Sequence, residues 1–540
     1  MGRFAALMVM AVAAMAWPST AAAATPSITS LSPTSGPAGT VVTITGHHLL
    51  NTMLVRFAGQ SATFTVLTAG KVRAIVPATA VTGTVTVTTR SGSTESPQPF
   101  TVTTGLVTNP RYAGPGEPVA ASGSGFPPGA DVVLDFDGAQ VAEGRTNAQG
   151  GFEALDFTVP NAPFGPHDLL AISGAFAFPI TFIVESDWAY GRHDVAGSGD
   201  DGSENSISAA NVGSMVKHWS FTLAGRPAGQ PVEADGVVYI GDSKGDFYAI
   251  NASTGAQKWM VTPGGDVFGA AAVDGTTVLV GDGFSLFALN TANGKTKWSF
   301  GTSGSVISSP AISSNEVFFT GWNGTSQALY SLNETNGKQN WMHPLASTTV
   351  AGSPSLSSQD VYVPDDSGAV YAIVRSTGKQ DWKHAVGGLP ETTPDIANGE
   401  VYVVATGSGT HDLWDLNGLT GAKIWADNVN ATYNAPAYDN HQIFVTTEGE
   451  LNSGVLALNA GTGVQNWLGA VFDSSNDSSP AVANGVVYDD CLGSLVAFNE
   501  STGAPLFSST ESIVEGSPIV DSGQVIIPDI NSDTLYAYGL

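Results

Sequence analysis

The chain has 540 residues, enough for several domains, and its 47 acidic and 19 basic side chains give a formal charge of −28 at pH 7. A charge of this sign repels nucleic-acid phosphates and anionic lipid, so nucleic acid is excluded as an expected partner. Glycine is abundant, with 64 residues, and long helical patterns are scarce, so we expect an all-β protein rich in turns.

The first 24 residues have the pattern of a secretory signal peptide. Arg3 precedes an apolar run that reaches Trp17, and small residues suitable for cleavage follow up to Ala24. No later run approaches the ~20 apolar residues that a membrane span needs. The chain has one cysteine, Cys491, which excludes an intramolecular disulfide. We predict an exported bacterial protein, secreted or held at the cell surface, that has no membrane span and is a monomer.

Two stretches with short alternating strands follow the signal peptide. Residues 25–104 contain GTVVTITG and GTVTVTTRSG between Gly, Pro and Ser turns, a pattern typical of a β-sandwich. This stretch resembles an IPT/TIG immunoglobulin-like domain at Pro33, Gly36-Pro37, Gly39, Val55-x-Phe57-x-Gly59 and Val76-Pro77. Residues 105–185 resemble the immunoglobulin-like modules of bacterial exported proteins. Such modules act as spacers or as adhesive units, and the fold alone does not decide between these roles.

From residue 186 to the end of the chain, one turn sequence recurs seven times. The copies are STGAQKW, ANGKTKW, TNGKQNW, STGKQDW, LTGAKIW, GTGVQNW and STGAPLF, with glycines at 255, 294, 337, 378, 421, 463 and 503. We interpret the glycine as the source of a positive φ and the aromatic residue as a cover for the next sheet. Each turn lies in a unit of four short strands within ~40 residues, which predicts a blade of a β-propeller.

The count of repeats predicts how the ring closes. Trp219 adds an eighth aromatic position, while residues 517–540 supply three strands and stop where an eighth turn would begin. We predict that strand 215–222 pairs with these three strands, since closure removes exposed sheet edges. The predicted fold is therefore all-β, with two immunoglobulin-like sandwiches followed by an eight-bladed propeller over residues 186–540.

The repeat resembles the pyrroloquinoline-quinone-like (PQQ-like) repeat in its [ST]-P, V-V-Y, L-Y-A-L/I-N, T-G and W elements, and the segment from Asp187 to Trp219 resembles the entry segment of such propellers. That family contains quinone-dependent alcohol and sugar dehydrogenases as well as non-catalytic scaffolds such as the outer-membrane assembly lipoprotein. The resemblance implies that a dehydrogenase needs a calcium ion held by Glu and Asn, an aspartate base and in many cases a vicinal cysteine pair. Cys491 is alone, so the pair is excluded, and no CxxCH motif for a haem is present.

Several acidic or glycine-rich motifs do not indicate chemistry. We interpret the recurring loop acids as turn residues rather than metal ligands; they are Asp242, Asp282, Asp365-Asp366 and Asp489-Asp490. DDGSEN at 200–205 lacks the ligand spacing of an EF-type calcium loop, so we predict a solvated loop. Gly197-x-Gly199-x-x-Gly202 has the letters of a dinucleotide motif without the strand before it or the helix after it. We assign no catalytic residue and no metal site.

The candidate binding residues come from loop geometry. In antiparallel blades the loops between the second and third strands, and those between one blade and the next, emerge on one face. These loops are the variable ones here, so we expect recognition at this face. The candidate side chains are Trp322, His411, Glu448, Glu450 and Asp473. An exposed tryptophan beside carboxylates suits stacking on a sugar or contact with a basic strand of a protein, and the alternative is that these loops have no ligand.

The sequence leaves three functions open. Our leading hypothesis is a secreted, non-enzymatic binding protein, without a cofactor, whose propeller presents loops to an extracellular protein or glycan. The alternatives are a calcium- and PQQ-dependent alcohol or sugar dehydrogenase, and a structural spacer of the cell envelope without a specific ligand. The identity of the ligand does not follow from the sequence.

Overall fold

The computed structural model describes residues 25–540 with gaps at 104, 110–111, 163–164, 175, 185–186, 266, 305–307, 348–351, 391, 408–411, 432, 448–452, 471–477, 492 and 515. The predicted signal peptide, residues 1–24, lies outside the described residues. The described part is built of strands and contains one 3-10 helical turn, Val212–Ser214, which confirms the all-β prediction. None of its helical segments is long and apolar enough to cross a membrane.

The described residues form two compact units. The first contains the residues before 112, Pro118–Phe157 and His167–Phe182. The second contains Tyr112–Glu117, Thr158–Pro166 and Ile183–Leu540.

The N-terminal sandwich has two four-stranded sheets. The first sheet runs, in spatial order, Ser27–Ser32, Val41–His47, Lys71–Ile75 and Phe64–Thr68. The second runs Gln60–Ala62, Thr52–Phe57, Val85–Thr89 and Gly92–Glu95, and a short parallel pair joins Ser35–Gly36 to Thr101–Val102. Alternate residues such as Val42, Ile44, Val55 and Val85 are fully buried, because successive side chains of a strand point to opposite sheet faces. Together with Phe57 they form the core between the sheets.

Two further sheets follow in the chain. One is three-stranded, with Gly105–Asn109, Pro118–Ser124 and Phe152–Thr158. The other is five-stranded, with Tyr112–Ala113, Phe176–Val184, Gly165–Ser173, Asp131–Phe136 and Ala139–Arg145.

Eight consecutive sheets make up the described part of the repeat region. Each contains four antiparallel strands, and one of them has the short parallel strand Asp200–Asp201 as a fifth. We number them 1 to 8 by the position of their first strands along the chain.
Sheet 1 contains Pro227–Ala234, Val237–Asp242, Phe247–Asn251 and Gln257–Val261; sheet 2 contains Phe268–Asp274, Thr277–Gly281, Ser285–Asn290 and Thr296–Gly301. Sheet 3 contains Ala311–Ser313, Glu316–Trp322, Gln327–Asn333 and Gln339–Pro344; sheet 4 contains Ser355–Leu356, Asp360–Asp365, Ala369–Val374 and Gln380–Ala385. Sheet 5 contains Asp395–Ala397, Glu400–Val404, Leu413–Asn417 and Lys423–Asp427; sheet 6 contains Ala437–Asp439, Gln442–Thr447, Gly454–Asn459 and Gln465–Ala470. Sheet 7 contains Ala481–Ala483, Val486–Cys491, Ser494–Asn499 and Pro505–Ser508; sheet 8 contains Ile519–Asp521, Gln524–Asp529, Thr534–Gly539 and Val216–Thr222. Neighbouring sheets contact one another through their first strands, so these strands form the inside of the ring.

The last sheet joins the two ends of the repeat region. Val216–Thr222 pairs antiparallel with Thr534–Gly539, and Trp219 lies opposite Ala537. The closing strand predicted from the leftover aromatic position is therefore confirmed.

Each repeated turn packs against the tryptophan of the preceding sheet. Gly255 has a φ of +67°, and a Cβ added to it would lie 2.8 Å from the ring of Trp219. The indole Nε1 of Trp219 donates a hydrogen bond of 2.6 Å to the carbonyl of Ala252 in the same turn. The same bond recurs in the pairs Trp259–Thr291, Trp298–Glu334, Trp341–Arg375, Trp382–Gly418, Trp425–Ala460 and Trp467–Glu500. The repeated turn thus holds adjacent sheets together.

Three of the recurring loop acids, Asp242, Asp282 and Asp365, do stabilise turns. Asp242 accepts the N–H groups of Lys244 (2.9 Å) and Asp246 (3.0 Å) through Oδ1, and that of Gly225 (2.9 Å) through Oδ2. Asp282 and Asp365 accept backbone N–H groups in the same way. For Asp489 the turn interpretation is wrong. This residue lies inside strand Val486–Cys491 and is fully buried, where Oδ2 accepts the hydroxyl of Thr446 at 2.6 Å.

Candidate functional site

The loop face is defined here by the loops between second and third strands and between consecutive sheets. Trp322 lies on this face, at the end of strand Glu316–Trp322, where it pairs with Gln327 across a hairpin. Its carbonyl accepts the N–H of Ser303 at 3.0 Å, and a Cβ added to Gly304 would lie 2.9 Å from its side chain. Trp322 is therefore half-buried against the preceding loop. The other predicted site residues, His411, Glu448, Glu450 and Asp473, lie outside the described residues.

Two apolar side chains of the loop face were not predicted from the sequence. Phe284 is 67% exposed, and Oδ1 of Asp282 accepts its N–H at 3.1 Å and that of Ser285 at 2.7 Å. Leu389 is 36% exposed, and its N–H donates to the carbonyl of Thr406 at 2.7 Å. These backbone hydrogen bonds order the two turns, and the side chains of Phe284 and Leu389 are exposed on them. The only sequence signal was a phenylalanine inside the small, polar stretch GDGFS.

A small cavity lies between sheets 5 and 6. It has a volume of about 160 Å³ and is lined by residues that include Asp427, Asn430, Thr447 and Leu468. This is below the ~300 Å³ at which small-molecule sites usually begin, so the cavity suits one side chain or one sugar unit better than a large cofactor.

A further segment of the chain packs against the first strands of the sheets. Residues 188–201, here called the axial strap, contact the first strands of sheets 1 to 7 in order. The contacts are Trp188 O with Glu233 N, Ala189 O with Val273 N, Tyr190 Oη with Ile312 O, Val195 O with Leu356 N, Ala196 O with Ile396 N, Ser198 O with Tyr438 N, and Gly199 O with Val482 N. The N–H of Trp188 donates to Asp521 of sheet 8 at 3.1 Å. Four of these partners lie towards the C-terminal ends of their first strands, namely Glu233, Val273, Leu356 and Asp521, and the other four are the middle residues of theirs.

Arg192 is the cation at the centre of the strap. It is 4% exposed, and its Nη2 donates to the carbonyls of Pro436 (2.9 Å) and Pro480 (2.8 Å). Gly199 lies against it, and a Cβ at this position would overlap the guanidinium. Burial lowers the pKa of Arg192 to about 10, and the nearby carboxylate of Asp395 opposes this shift. Within the described part of the chain, Nε and Nη1 of Arg192 and both carboxylate oxygens of Asp395 have no hydrogen-bond partner.

The prediction of a solvated loop at residues 200–205 is wrong. Asp201 is fully buried, Glu204 is 4% exposed, and Asp200–Asp201 pairs with the first strand of sheet 7. The side chain of Glu204 accepts the N–H groups of Ile207 and Gly523, each at 2.8 Å. The acids are buried because backbone N–H groups of the strap region and of sheet 8 need acceptors there.

Burial changes the protonation of several carboxyl groups around the strap. It raises the pKa of Asp200 to about 9 and that of Asp489 to about 7. Burial also raises the pKa of Glu233 in sheet 1 and of Asp521 in sheet 8, whose side chains are hydrogen-bonded to each other. The raised pKa values of the two groups favour a proton shared between Glu233 of sheet 1 and Asp521 of sheet 8.

Comparisons with known proteins agree on the fold. The family profile described as outer membrane protein assembly factor BamB, which is a PQQ-like repeat profile, matches residues 203–353 and 325–539, and the IPT/TIG domain profile matches residues 26–102. The PQQ-like and IPT/TIG resemblances inferred from the sequence are thereby confirmed. No curated protein sequence matches the chain.

Solved structures with the same fold come from proteins with and without catalytic function. BamB from Moraxella catarrhalis aligns at 16% identity with a TM-score of 0.51, over 60% of this chain and 98% of its own. A quinohemoprotein alcohol dehydrogenase from Comamonas testosteroni aligns at 15% identity with a TM-score of 0.53, over 65% of this chain and 80% of its own. A europium-containing methanol dehydrogenase aligns at 12% identity with a TM-score of 0.52, over 66% of this chain and 98% of its own. At these identities the likeness concerns the fold, which does not select a function.

Proposed function

Because the chain belongs to the family described as outer membrane protein assembly factor BamB, we propose that it is a non-enzymatic binding protein whose loop face holds an extracellular protein. The observation that carries this proposal is the pair Phe284 and Leu389, apolar side chains held out from ordered turns on that face. Aromatic side chains are enriched in protein interfaces, and a few such anchors carry most of the binding energy. Trp322, in the neighbouring sheet, is the third candidate anchor.

The described residues fit a quinone cofactor poorly. Pyrroloquinoline quinone carries three carboxylates, whereas the groups around the strap include the buried carboxyls of Asp395 and Asp489. The one buried guanidinium there, Arg192, already donates to two carbonyl oxygens. In the part of the chain that the structure describes, no three His, Cys, Asp or Glu side chains converge as a metal site. These features support binding over dehydrogenation, and we derive no catalytic step.

Export supports an extracellular partner. The signal-peptide pattern of residues 1–24 and the single cysteine suit an exported bacterial protein that is stabilised by packing rather than by disulfides. We propose a location outside the cytoplasm, at the cell envelope or in the medium, and the monomeric state stays a prediction.

A photo-cross-linking amino acid at position 284 is expected to capture a discrete protein from the native bacterium. Leu419 is the matched control, because it is 69% exposed against 67% for Phe284 but lies on a turn between third and fourth strands, at the opposite face. Cross-links from 284 and none from 419 would support the proposal. Equal yields at both positions, or cross-links to glycan alone, would contradict it.

The double substitution Phe284→Ala and Trp322→Ala is expected to weaken binding of the captured protein at least about tenfold, since interface anchors each contribute ~1–2 kcal/mol or more. Leu419→Ala is expected to leave the affinity unchanged. Calorimetry with the purified partner measures both. An unchanged affinity in the double variant would contradict the assignment of the loop face.

A further inference from the structure

The N-terminal sandwich differs in charge from the rest of the chain. Residues 25–103 contain four basic side chains, Arg56, Lys71, Arg73 and Arg90, and one acidic side chain, Glu95. Their net charge is therefore +3 in a chain whose total is −28. An isolated basic region in an acidic protein indicates a local partner of negative charge.

Two of the basic side chains share one sheet face that has no carboxylate. The strands Ser27–Ser32, Val41–His47, Phe64–Thr68 and Lys71–Ile75 contain no Asp or Glu. Val72 and Ala74 are buried in the core, whereas Lys71, Arg73 and Ile75 are exposed on the other side of the strand. Glu95 lies in the opposite sheet, where Thr86 is paired with both Glu95 and Arg56.

Threonine hydroxyls flank both cations. The register places Thr43 and Thr65 on either side of Arg73, and Thr45 and Thr68 on either side of Lys71. Side chains directly opposite each other on paired strands lie on the same face. Each cation therefore stands in a short row of hydroxyl groups.

The two cations have no protein counter-charge. Among the described residues, neither Lys71 nor Arg73 takes part in a salt bridge or in a side-chain hydrogen bond. Two residues along a strand span about 7 Å, so the charges stand side by side.

We propose that this face, defined by Lys71 and Arg73 with their flanking threonines, binds an anionic polysaccharide whose sugars carry carboxylates. Lys and Arg donate charge-assisted hydrogen bonds to carboxylates, and threonine hydroxyls exchange hydrogen bonds with sugar hydroxyls. The apolar edges of the sugar rings would contact Val41 and Ile75. These side chains are 48% and 37% exposed and lie opposite each other on paired strands.

An acidic protein fits this face less well than a polysaccharide does. Protein interfaces are enriched in aromatic anchors, and the outward positions of these four strands hold threonine, serine, aliphatic and basic side chains together with His47. A sheet face with rows of hydroxyl groups suits an extended chain of sugars. This site is separate from the loop face, and its assignment does not depend on the function proposed above.

The test measures binding to the full mature protein by calorimetry, at low and at physiological salt. Alginate is the carboxylated probe, and neutral dextran is the uncharged control. The wild-type protein is expected to bind alginate saturably and more weakly as salt rises, and not to bind dextran. Lys71→Gln with Arg73→Gln is expected to reduce the affinity for alginate at least tenfold. The matched control, Arg56→Gln with Arg90→Gln, removes two exposed charges from elsewhere in the same sandwich and is expected to change it less than threefold.

Three results would overturn the proposal. The first is the lack of saturable alginate binding by the wild-type protein at low salt. The second is an equal loss of affinity in both double variants, which would indicate a net-charge effect. The third is retention of an acidic protein, including a second copy of this chain in sedimentation, that depends on Lys71 and Arg73 while alginate does not bind. Thermal unfolding of each variant checks that the sandwich is intact.

Discussion

Replacing Trp219 by alanine is expected to lower the free energy of unfolding of the propeller by about 3–5 kcal/mol. Trp219 is 8% exposed, donates to the carbonyl of Ala252 at 2.6 Å, and packs on the turn of Gly255. Its strand comes from the start of the repeat region and is held in sheet 8 by pairing with Thr534–Gly539. Its loss therefore weakens the joint between the first and last sheets and leaves a cavity.

Urea unfolding followed by tryptophan fluorescence measures this effect in the propeller alone. Once residues 1–24 are removed, every tryptophan of the chain lies between 188 and 467. Phe284→Ala is the control, because that side chain is 67% exposed and its loss is expected to cost less than about 0.5 kcal/mol. A Trp219→Ala variant as stable as the control would contradict the account of ring closure.

A double-mutant cycle locates the effect at the joint. Gly255→Ala places a Cβ 2.8 Å from the ring of Trp219 at a φ of +67°, so it is expected to destabilise the wild-type protein. In the Trp219→Ala background the clash is gone, and the cost of Gly255→Ala is expected to fall by ~0.5–3 kcal/mol. Strictly additive costs would show that the two residues do not act together.

Raising the pH from about 5 to about 9 is expected to destabilise the propeller. The pKa values of Asp200 and Asp489 are raised to about 9 and about 7, and those of Glu233 and Asp521 are raised as well, all chiefly by burial. The folded state then binds more protons than the unfolded state, whose carboxyl groups titrate near pH 4. Their contribution is fully present below pH 4 and declines as the pH rises through these folded-state values, by up to ~1.4 kcal/mol per pH unit for each proton.

Glu233→Gln tests the pair that joins sheets 1 and 8. The amide keeps the size of the side chain and a hydrogen bond to Asp521 but needs no shared proton. We therefore expect the free energy of unfolding to fall less steeply between pH 5 and pH 9, by an amount that corresponds to about one bound proton. Asp427→Asn is the control, since Asp427 is exposed at the end of sheet 5. The measurement is the urea midpoint at several pH values. Stability that rises from pH 5 to pH 9, or an unchanged slope in Glu233→Gln, would contradict the assignment.

One ion pair acts outside that pH window. Lys217 lowers the pKa of Glu511 to about 2 through a bond of 2.7 Å. Its contribution is present above pH 4 and is lost only as the pH falls towards 2, so it does not oppose the slope between pH 5 and pH 9.

The ring and its closure were predictable because the repeat is periodic. Seven turns and one leftover aromatic residue, Trp219, left a single arrangement in which every sheet has four strands. Each turn uses the same local chemistry, a glycine at positive φ under a tryptophan ring, so the sequence pattern reports the packing directly.

The axial strap was not predictable from its own sequence. Its contacts follow from the positions of eight distant first strands, which no local pattern encodes. The sequence analysis assigned no role to Gly199, and in the structure this glycine makes room for Arg192. The spacing of DDGSEN carried no information about the N–H group of Gly523, which donates a hydrogen bond to the buried side chain of Glu204.

The candidate site could be predicted only in part from the sequence. Variable loops predict a binding face, and one of the candidate residues, Trp322, lies there half-buried, while the other four lie outside the described residues. Phe284 was missed because its stretch reads as a turn, and the exposure of an apolar side chain depends on which side of the turn it occupies.

The central claim is that the propeller binds without catalysing a reaction. Calorimetric titration of the mature protein with pyrroloquinoline quinone and calcium, together with a dye-linked oxidation assay on alcohols and sugars, tests it most directly. The account predicts neither saturable quinone binding nor turnover. Saturable binding with turnover would contradict it and assign the protein to the quinone-dependent dehydrogenases.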